Sequence, residues 1–358
     1  MKFSLFDFVH WPMLERGSPQ DESRVMREHL QQWQAAENLG FDAAFVTEHH
    51  FTHYNLTPSP NVFLAAAAGM TSRIKLGTMV SVVNFYHPWR LAEESAMLDC
   101  LSNGRLIMGL ARSPDMLEYD HFQMAPEEGR ARFREGLELM KQAFTGEPVT
   151  FEGQFFRMNN ATIWPRPVQQ PHPPFVAAAV QPGTFEWAGE QGYGAASLMT
   201  DHRTAAYYHN TYQSARQKNG LARDPKQFYL ARHVYVRESK DQAIEEARGP
   251  MLEFFKMFYR DRVVANREQL DHMPATFEGY GEFHKRNLSG ALTYESLIES
   301  GALLAGDPRS VAEQIQQTSD EVGLENLMCI MAIGPMDHDA TMKSLRLFGE
   351  RVLPEFAR

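Results

Sequence analysis

The segment Phe41-Asp-Ala-Ala-Phe-Val-Thr-Glu-His-His50 places three titratable residues directly after a short apolar run. Residues 43–47 are predicted to form a buried strand, so Glu48, His49 and His50 follow where that strand ends. In a barrel of alternating strands and helices, catalytic residues collect at the carboxyl ends of the strands. Consecutive strand residues point to opposite faces, so Glu48 and His50 share one side and His49 lies on the other. At most one of the two histidines therefore faces a barrel mouth.

Further apolar, β-rich segments alternate with helical patterns along the chain. They cover residues 3–9, 74–83, 106–110, 175–180, 194–199, 228–237 and 327–332. This alternation favours a (β/α)8 TIM barrel over a doubly wound sheet, and such a barrel forms one domain, here 1–358. Two segments depart from the pattern. Residues 146–167 break into short β-like pieces and are predicted as an excursion outside the barrel, whereas residues 259–305 are charged and aperiodic and are predicted as a mobile insertion.

Composition limits the classes of function. The 358 residues carry a formal net charge of −10, which argues against a nucleic-acid surface, because phosphate contacts need clustered Lys and Arg. No apolar stretch approaches the ~20 residues that span a bilayer, and the start of the chain lacks a cleavable signal pattern. Cys100 and Cys329 lie in apolar patterns and are expected to be buried thiols. We therefore expect a cytoplasmic protein without a nucleic-acid or membrane partner.

Two common site types are not indicated. No Gly-x-Gly-x-x-Gly element follows the first strand, and the nearest match, Gly189-Glu-Gln-Gly-Tyr-Gly194, has reversed spacing and ends a helix. NAD is therefore not expected to bind in the usual way. The Glu48-His49-His50 run, with His53 nearby, could hold a metal, but barrel hydrolases favour His-x-His, whose alternate side chains converge on one ion. No metal is expected; histidines that only pack are the alternative.

Two arginines and a helix start form a second candidate site. Arg112 follows the fourth strand, Arg130 begins a helix, and Thr184 lies where the helix after the fifth strand begins. A helix N-terminus presents N–H groups and a partial positive charge to anions. Gly183 allows close backbone approach, and both arginines could clamp phosphate oxygens. The alternative for each arginine is a surface salt bridge. A shared phosphate site is favoured because strands four and five are adjacent in a barrel, so the groups that follow them could converge.

Several short motifs, in order and at matching intervals, resemble one family. They are Gly40-Phe-Asp, Glu48-His-His-Phe-Thr52, Leu76-Gly-Thr78, His87-Pro-x-Arg90, Leu98-Asp99, Ser102-x-Gly-Arg105 and Glu186-Trp-Ala188. Over nearly its whole length the chain resembles the bacterial luciferase-like, flavin-dependent monooxygenases, with the luciferase α subunit as the nearest type. The resemblance implies a TIM barrel, usually dimeric, that binds reduced FMN supplied by a separate NAD(P)H:flavin reductase. It also implies oxygenation of a small organic substrate by O2 through a flavin C4a-hydroperoxide.

The resemblance also implies roles for residues of this chain. His49 corresponds to the family's catalytic histidine beside the flavin, and Arg112, Arg130 and Thr184 to its phosphate-binding side chains. Met79–Val80 falls where luciferase has a non-prolyl cis peptide bond under the isoalloxazine ring.

The chain also departs from luciferase. Ala111 replaces a reactive cysteine, and Met199 replaces a tryptophan, so light emission and a long-chain aldehyde substrate are not implied. Val180 and Gln181 stand where luciferase has Glu and Ser, which makes Gln181 a candidate phosphate ligand.

The substrate pocket and the rival functions remain as hypotheses. His10, Trp11, Phe51 and Met199 are expected to line the pocket, although residues of these types are more often ordinary core. The leading hypothesis is a two-component monooxygenase that uses reduced FMN. The alternatives are a deazaflavin-dependent oxidoreductase on the same fold and a non-catalytic flavin-binding protein.

Overall fold

Parallel strands close into a barrel in the computed structural model, which describes residues 1–11, 17–198, 200–259 and 293–357. The strands in chain order are β1 (Lys2–Asp7), β2 (Ala43–Val46), β3 (Lys75–Val82), β4 (Leu106–Ala111), β5 (Val149–Glu152), β6 (Arg157–Ala161), β7 (Phe175–Ala179), β8 (Gly194–Ser197), β9 (Phe228–Val236), β10 (Leu303–Gly306) and β11 (Asn326–Ile330). Within the described residues, the barrel order is β1-β2-β3-β4-β7-β8-β9-β11, and β11 pairs with β1 to close it. These eight strands are the ones that the sequence predicts, and the predicted TIM barrel is confirmed.

Helices surround the barrel. In chain order they are α1 (Pro19–Leu39), α2 (Pro60–Met70), α3 (Pro88–Leu101), α4 (Met116–His121), α5 (Gly129–Phe144), α6 (Pro182–Gln191), α7 (His202–Lys218), α8 (Lys240–Tyr259), α9 (Tyr294–Glu299), α10 (Pro308–Val322) and α11 (His338–Leu347). Local signals set their ends. Ser18 and Asp21 form a capping box that begins α1, and Gly40 ends it with a left-handed φ of 93°.

Both faces of the barrel strands are buried, which explains their nearly continuous apolar sequences. Leu5 and Val46 pack outward against the helices. Phe6 and Phe45 point into the barrel, where a second cluster includes Met79. The interior is therefore filled by side chains, and room for a ligand is left at the strand ends.

The excursion forms an antiparallel hairpin of β5 and β6. Glu135 on α5 holds its turn, because this carboxylate accepts hydrogen bonds from the backbone N–H groups of Gln154, Phe155 and Phe156 at 2.8–2.9 Å.

Two expectations need correction. The predicted insertion includes a regular strand, since β10 pairs in parallel with the second half of β9, Leu303 opposite His233. These four residues adjoin a charged, aperiodic segment, so the sequence pattern does not separate the strand from the insertion. Residues 260–292 of the predicted insertion lie outside the described residues. Cys329 is buried as expected, but Cys100 is exposed, because α3 turns it away from the barrel.

Candidate functional site

Four neighbouring strands carry the predicted site residues. His49 follows β2, Met79 and Val80 lie within β3, Arg112 follows β4, and residues 180–184 follow β7. These strands are consecutive neighbours in the barrel and run parallel, so their carboxyl ends meet at one edge.

A cleft at this edge, here called the arginine cleft, has a cavity volume of about 130 Å³. All the predicted phosphate-site residues line it, namely Arg112, Arg130, Val180, Gln181, Gly183 and Thr184. Arg134, Phe133 and Trp187 also line it, and sequence reasoning missed them. The described lining includes three arginines and no carboxylate, so the cleft is electropositive.

The start of α6 supplies backbone groups to the arginine cleft. No side chain caps this helix at Gln181, Pro182 has no N–H, and the Thr184 N–H donates to the Gln181 carbonyl at 3.1 Å. Gly183 is therefore the residue whose N–H is left to face an anion. A Cβ at Gly183 would meet no atom within 4 Å, so packing within the chain does not require a glycine there. This start of α6 fits a phosphate that approaches the backbone closely.

Arg130 and Arg134 lie four residues apart on α5 and therefore share one face of that helix. This spacing is the signal that could have revealed Arg134. Both side chains are exposed, and a bound phosphate could receive bidentate hydrogen bonds from either of them.

β3 changes its path beside the cleft. The Met79–Val80 peptide bond is cis, which confirms the geometry that the family resemblance implies. The register against β4 shifts between Thr78 and Ser81. The backbones of β3 and β4 approach each other closely at Thr78 and Gly109. Only glycine fits at position 109, because a Cβ there would collide with the Thr78 carbonyl. The Thr78 hydroxyl also donates to the Gly109 carbonyl at 2.8 Å.

His49 lies at the strand end with its side chain 15% exposed. Its Nδ1 is 3.4 Å from Oε1 of Glu118, a fully buried carboxylate on α4. The same oxygen accepts the His50 N–H at 2.9 Å, and the Ser113 hydroxyl donates to the other oxygen. On another side, the His49 ring lies 5.3 Å from the ring of Tyr54. Glu118 therefore orients the imidazole, and sequence reasoning missed it because no local pattern connects the two residues.

His50 has a different partner, as strand alternation predicts. Its Nε2 lies 3.1 Å from Oε1 of Glu48. The other oxygen of Glu48 accepts hydrogen bonds from the Val82 N–H and the Tyr86 hydroxyl, both at 3.1 Å. Burial raises the pKa of Glu48, although these hydrogen bonds oppose the shift. Burial and the Glu48 charge raise the pKa of Tyr86. This network joins the ends of β2 and β3 and positions the histidine run.

The predicted pocket residues have different surroundings. His10 and Trp11 are buried beside the loop after β2. There the backbone N–H of Trp11 donates to the His53 carbonyl at 2.8 Å. Phe51 is 59% exposed and packs against His121, with ring centroids 4.6 Å apart. Met199 lies outside the described residues.

Neither a metal-ligand cluster nor a membrane-spanning helix occurs among the described residues. No group of three or more His, Cys, Asp or Glu side chains in that part of the chain could hold a metal ion. No helix there is long and apolar enough to cross a membrane.

The family to which the chain belongs follows from its sequence. The family model of the luciferase-like monooxygenases matches residues 1–326.

This chain belongs to the luciferase-like monooxygenase family.

Individual members of the family differ in their cofactors. The chain is 32% identical to the oxygenase component of the flavin-dependent trigonelline monooxygenase of Acinetobacter baylyi, over 72% of this chain and 71% of that protein. It is 33% identical to the F420-dependent glucose-6-phosphate dehydrogenase of Kineococcus radiotolerans, over 60% of this chain and 65% of that protein. Among solved structures, the monooxygenase RslO1 of Streptomyces bottropensis superposes with a TM-score of 0.83 at 28% identity, covering all of both chains. These likenesses support an oxidoreductase.

Proposed function

We propose that this protein is the oxygenase of a two-component monooxygenase, which uses reduced FMN and O2 to oxygenate a small organic molecule. One observation carries the proposal: an electropositive cleft and an oriented histidine lie at the same barrel edge, on neighbouring strands separated by β3. Family membership and the likeness to a flavin-dependent oxygenase component support it.

The arginine cleft fits the phosphate of FMN. Arg112, Arg130 and Arg134 would supply charged donors, while the Gly183 N–H and the Thr184 hydroxyl would supply neutral ones. Gln181 is a further candidate donor at the same helix start. Met79 and Val80 lie on the strand beside this cleft and would contact the flavin ring. Reduced FMN, when bound, supplies the electrons that activate O2 for transfer to the substrate.

His49 would act as the proton-handling group. Glu118 engages its Nδ1, so the ring orientation is set and Nε2 is the atom that would hold or move a proton. A histidine suits this role because its ordinary pKa lies near neutrality. The aromatic and apolar residues around Tyr54 and Met79 would exclude water from the reacting groups.

Electrons would come from a separate NAD(P)H:flavin reductase by diffusion of reduced FMN. The chain has no Gly-x-Gly-x-x-Gly motif for a dinucleotide. The test supplies FMN, NADH and an unrelated flavin reductase, and follows flavin oxidation and O2 consumption. We expect NADH alone to leave the flavin oxidised, and the reductase to start turnover. Rapid reduction of FMN by NADH and this protein alone would contradict the two-component proposal.

A deazaflavin-dependent oxidoreductase is the second candidate, favoured by the likeness to an F420-dependent dehydrogenase. The two candidates differ in oxygen use. A monooxygenase consumes O2 with reduced FMN, whereas a hydride-transferring enzyme would bind F420 and turn over without O2. A protein that binds FMN and supports neither reaction would be the non-catalytic flavin-binding alternative.

The outer faces of α2 and α3 support a homodimer. The two helices pack side by side, and α2 contains no charged residue. Large apolar side chains on these helices are exposed: Val62, Met70, Met97 and Leu101. Apolar patches that span adjacent elements commonly mark an interface. We therefore propose that a second copy of the chain covers this face.

A further inference from the structure

His10, which is expected to line the substrate pocket, and His233 each have an unpaired ring nitrogen. His10 follows β1 and His233 lies on β9, and both are almost completely buried. His10 Nδ1 and His233 Nε2 have no hydrogen-bond partner among the described residues. Leaving a buried polar atom without a partner is costly, so such atoms indicate a ligand or a water molecule.

The backbone before His10 holds an unusual conformation. Val9 has a φ of 44°, which a β-branched residue rarely adopts. Asp7 stabilises this turn, because its carboxylate accepts the Val9 N–H at 2.9 Å and the Trp33 indole N–H at 3.0 Å, and lies 2.8 Å from His29 Nδ1. Strained backbone of this kind clusters at ligand sites. Here it sets the direction of His10.

Ring contacts and backbone hydrogen bonds relate these histidines to the segment that carries Tyr54. The His233 ring lies 5.0 Å from Phe254, which lies 5.3 Å from Phe8. Phe8 belongs to the same interior cluster as Tyr54, the ring neighbour of His49. His10 lies between Val9 and Trp11, which both form backbone hydrogen bonds at 2.8 Å with the segment around Tyr54, namely with Leu56 and His53. The two histidines are therefore polar groups within the apolar lining next to the proposed catalytic histidine.

Both rings are neutral near pH 7. Burial, followed by the effect of His29, lowers the pKa of His10 to about 3. Burial likewise lowers the pKa of His233 to about 3, while a hydrogen bond with the Ala302 carbonyl opposes the shift. A neutral imidazole has one N–H donor and one acceptor nitrogen. Each unpaired nitrogen can therefore donate or accept a hydrogen bond, and neither ring offers a cation to an anionic ligand.

We propose that His10 and His233 form a polar subsite for a neutral organic substrate that carries a hydroxyl or N–H group. This subsite rests on the proposed monooxygenase function, since it lies beside His49 and would orient the substrate there. One ring accepts the donor hydrogen, and the other pairs with the same group or with a neighbouring oxygen of the substrate.

The test compares the binding of phenol and toluene, which share a ring and differ in a hydroxyl and a methyl group. Histidine ring signals are followed by NMR in isotope-labelled protein, with and without FMN. We expect phenol to shift the signals of His10 and His233. The ratio of phenol affinity to toluene affinity should fall about tenfold or more in His233→Leu, because one hydrogen bond is lost. His233→Gln should retain much of the ratio.

His209 provides a matched control. It is a buried histidine with an unpaired Nδ1, but it packs against Phe228 in the outer helix layer. His209→Leu should leave the ratio unchanged. If His233→Leu does not fold, His10→Leu makes the same comparison. An unchanged ratio in the subsite variants, or no response of either histidine to phenol, overturns the subsite. Failure of the reduced-FMN assay with normal phenol binding would instead overturn the proposed function.

Discussion

His49 and His50 are neighbours in the chain, yet their rings contact different carboxylates. His49 is oriented by Glu118 on α4, and His50 by Glu48 at the end of β2. The two histidines therefore have separable roles.

The arginines on α5 also differ in their surroundings. Arg130 and Arg134 face the cleft, whereas Arg132 lies over the ring of Phe155 at 4.6 Å.

The first prediction concerns the phosphate. Arg112→Ala or Arg130→Ala should weaken FMN binding by ~1.5–3 kcal/mol, roughly ten- to hundredfold, because a charge-assisted contact is lost. Riboflavin binding should change little, since riboflavin has no phosphate. Arg134→Ala should act in the same direction. Fluorescence titration with both flavins measures this effect.

Arg157→Ala is the control, because Arg157 is an exposed hairpin residue that pairs with Glu152. Equal weakening of FMN and riboflavin in the cleft variants would place the phosphate elsewhere.

The second prediction separates catalysis from binding. His49→Asn should fold and bind FMN nearly normally, but product formation should fall by roughly 100- to 10,000-fold, as for a lost acid–base group. Oxygen should still be consumed, with hydrogen peroxide released in place of product. Glu118→Gln should lower product formation less and alter its pH profile, because it changes the orientation and proton affinity of His49 but keeps the imidazole. His50→Asn should be milder than His49→Asn.

These variants are compared by product analysis and peroxide assay at several pH values. Full activity of both histidine variants would show that the histidine run is structural.

Between elements, the contact of β3 with β4 depends on one glycine. The third prediction is that Gly109→Ala lowers the free energy of unfolding by ~1–3 kcal/mol, because its methyl group overlaps the fixed Thr78 carbonyl. Gly183→Ala has open space and should keep wild-type stability. If phosphate approaches the Gly183 backbone, that variant should still bind FMN more weakly. Urea unfolding and flavin titration of both variants test the pair. Wild-type stability of Gly109→Ala would refute the close approach.

At the scale of the whole molecule, the fourth prediction concerns the apolar face of α2 and α3. Leu101 is 61% exposed and Met97 is 53% exposed. Placing a charge within a dimer interface leaves it desolvated and unpaired, so Leu101→Lys or Met97→Glu should convert a dimer to a monomer. Light scattering coupled to size exclusion measures the change. Leu221→Lys, an exposed apolar position beyond α7, should leave the oligomeric state unchanged. A wild-type monomer would reject the homodimer.

The fifth prediction concerns pH and stability. Burial lowers the pKa values of His10, His209 and His233 to about 3, 4 and 3. Between these values and the unfolded pKa of about 6.5, the unfolded chain binds protons that the folded chain does not. Stability should therefore fall as pH decreases below about 6.5, by roughly 2 kcal/mol per histidine at about pH 5. Thermal unfolding from neutral to acidic pH measures it at fixed protein concentration.

His209→Gln should flatten this dependence, because it removes one of the three groups. A pH-independent melting temperature over this range would contradict the buried, neutral state of these histidines.

The sequence by itself determined the eight barrel strands, the position of His49 and the arrangement of Arg112, Arg130 and Thr184. Strand periodicity, helix starts and strand ends are local properties, and parallel strands bring their carboxyl ends to one edge whatever the details of packing. Only the tertiary structure revealed Glu118 beside His49, Arg134 in the arginine cleft, and β10 beside β9. Glu118 lies 69 residues from His49 in the chain. Contacts over such separations depend on how helices and loops pack against the barrel, and no short pattern encodes that packing.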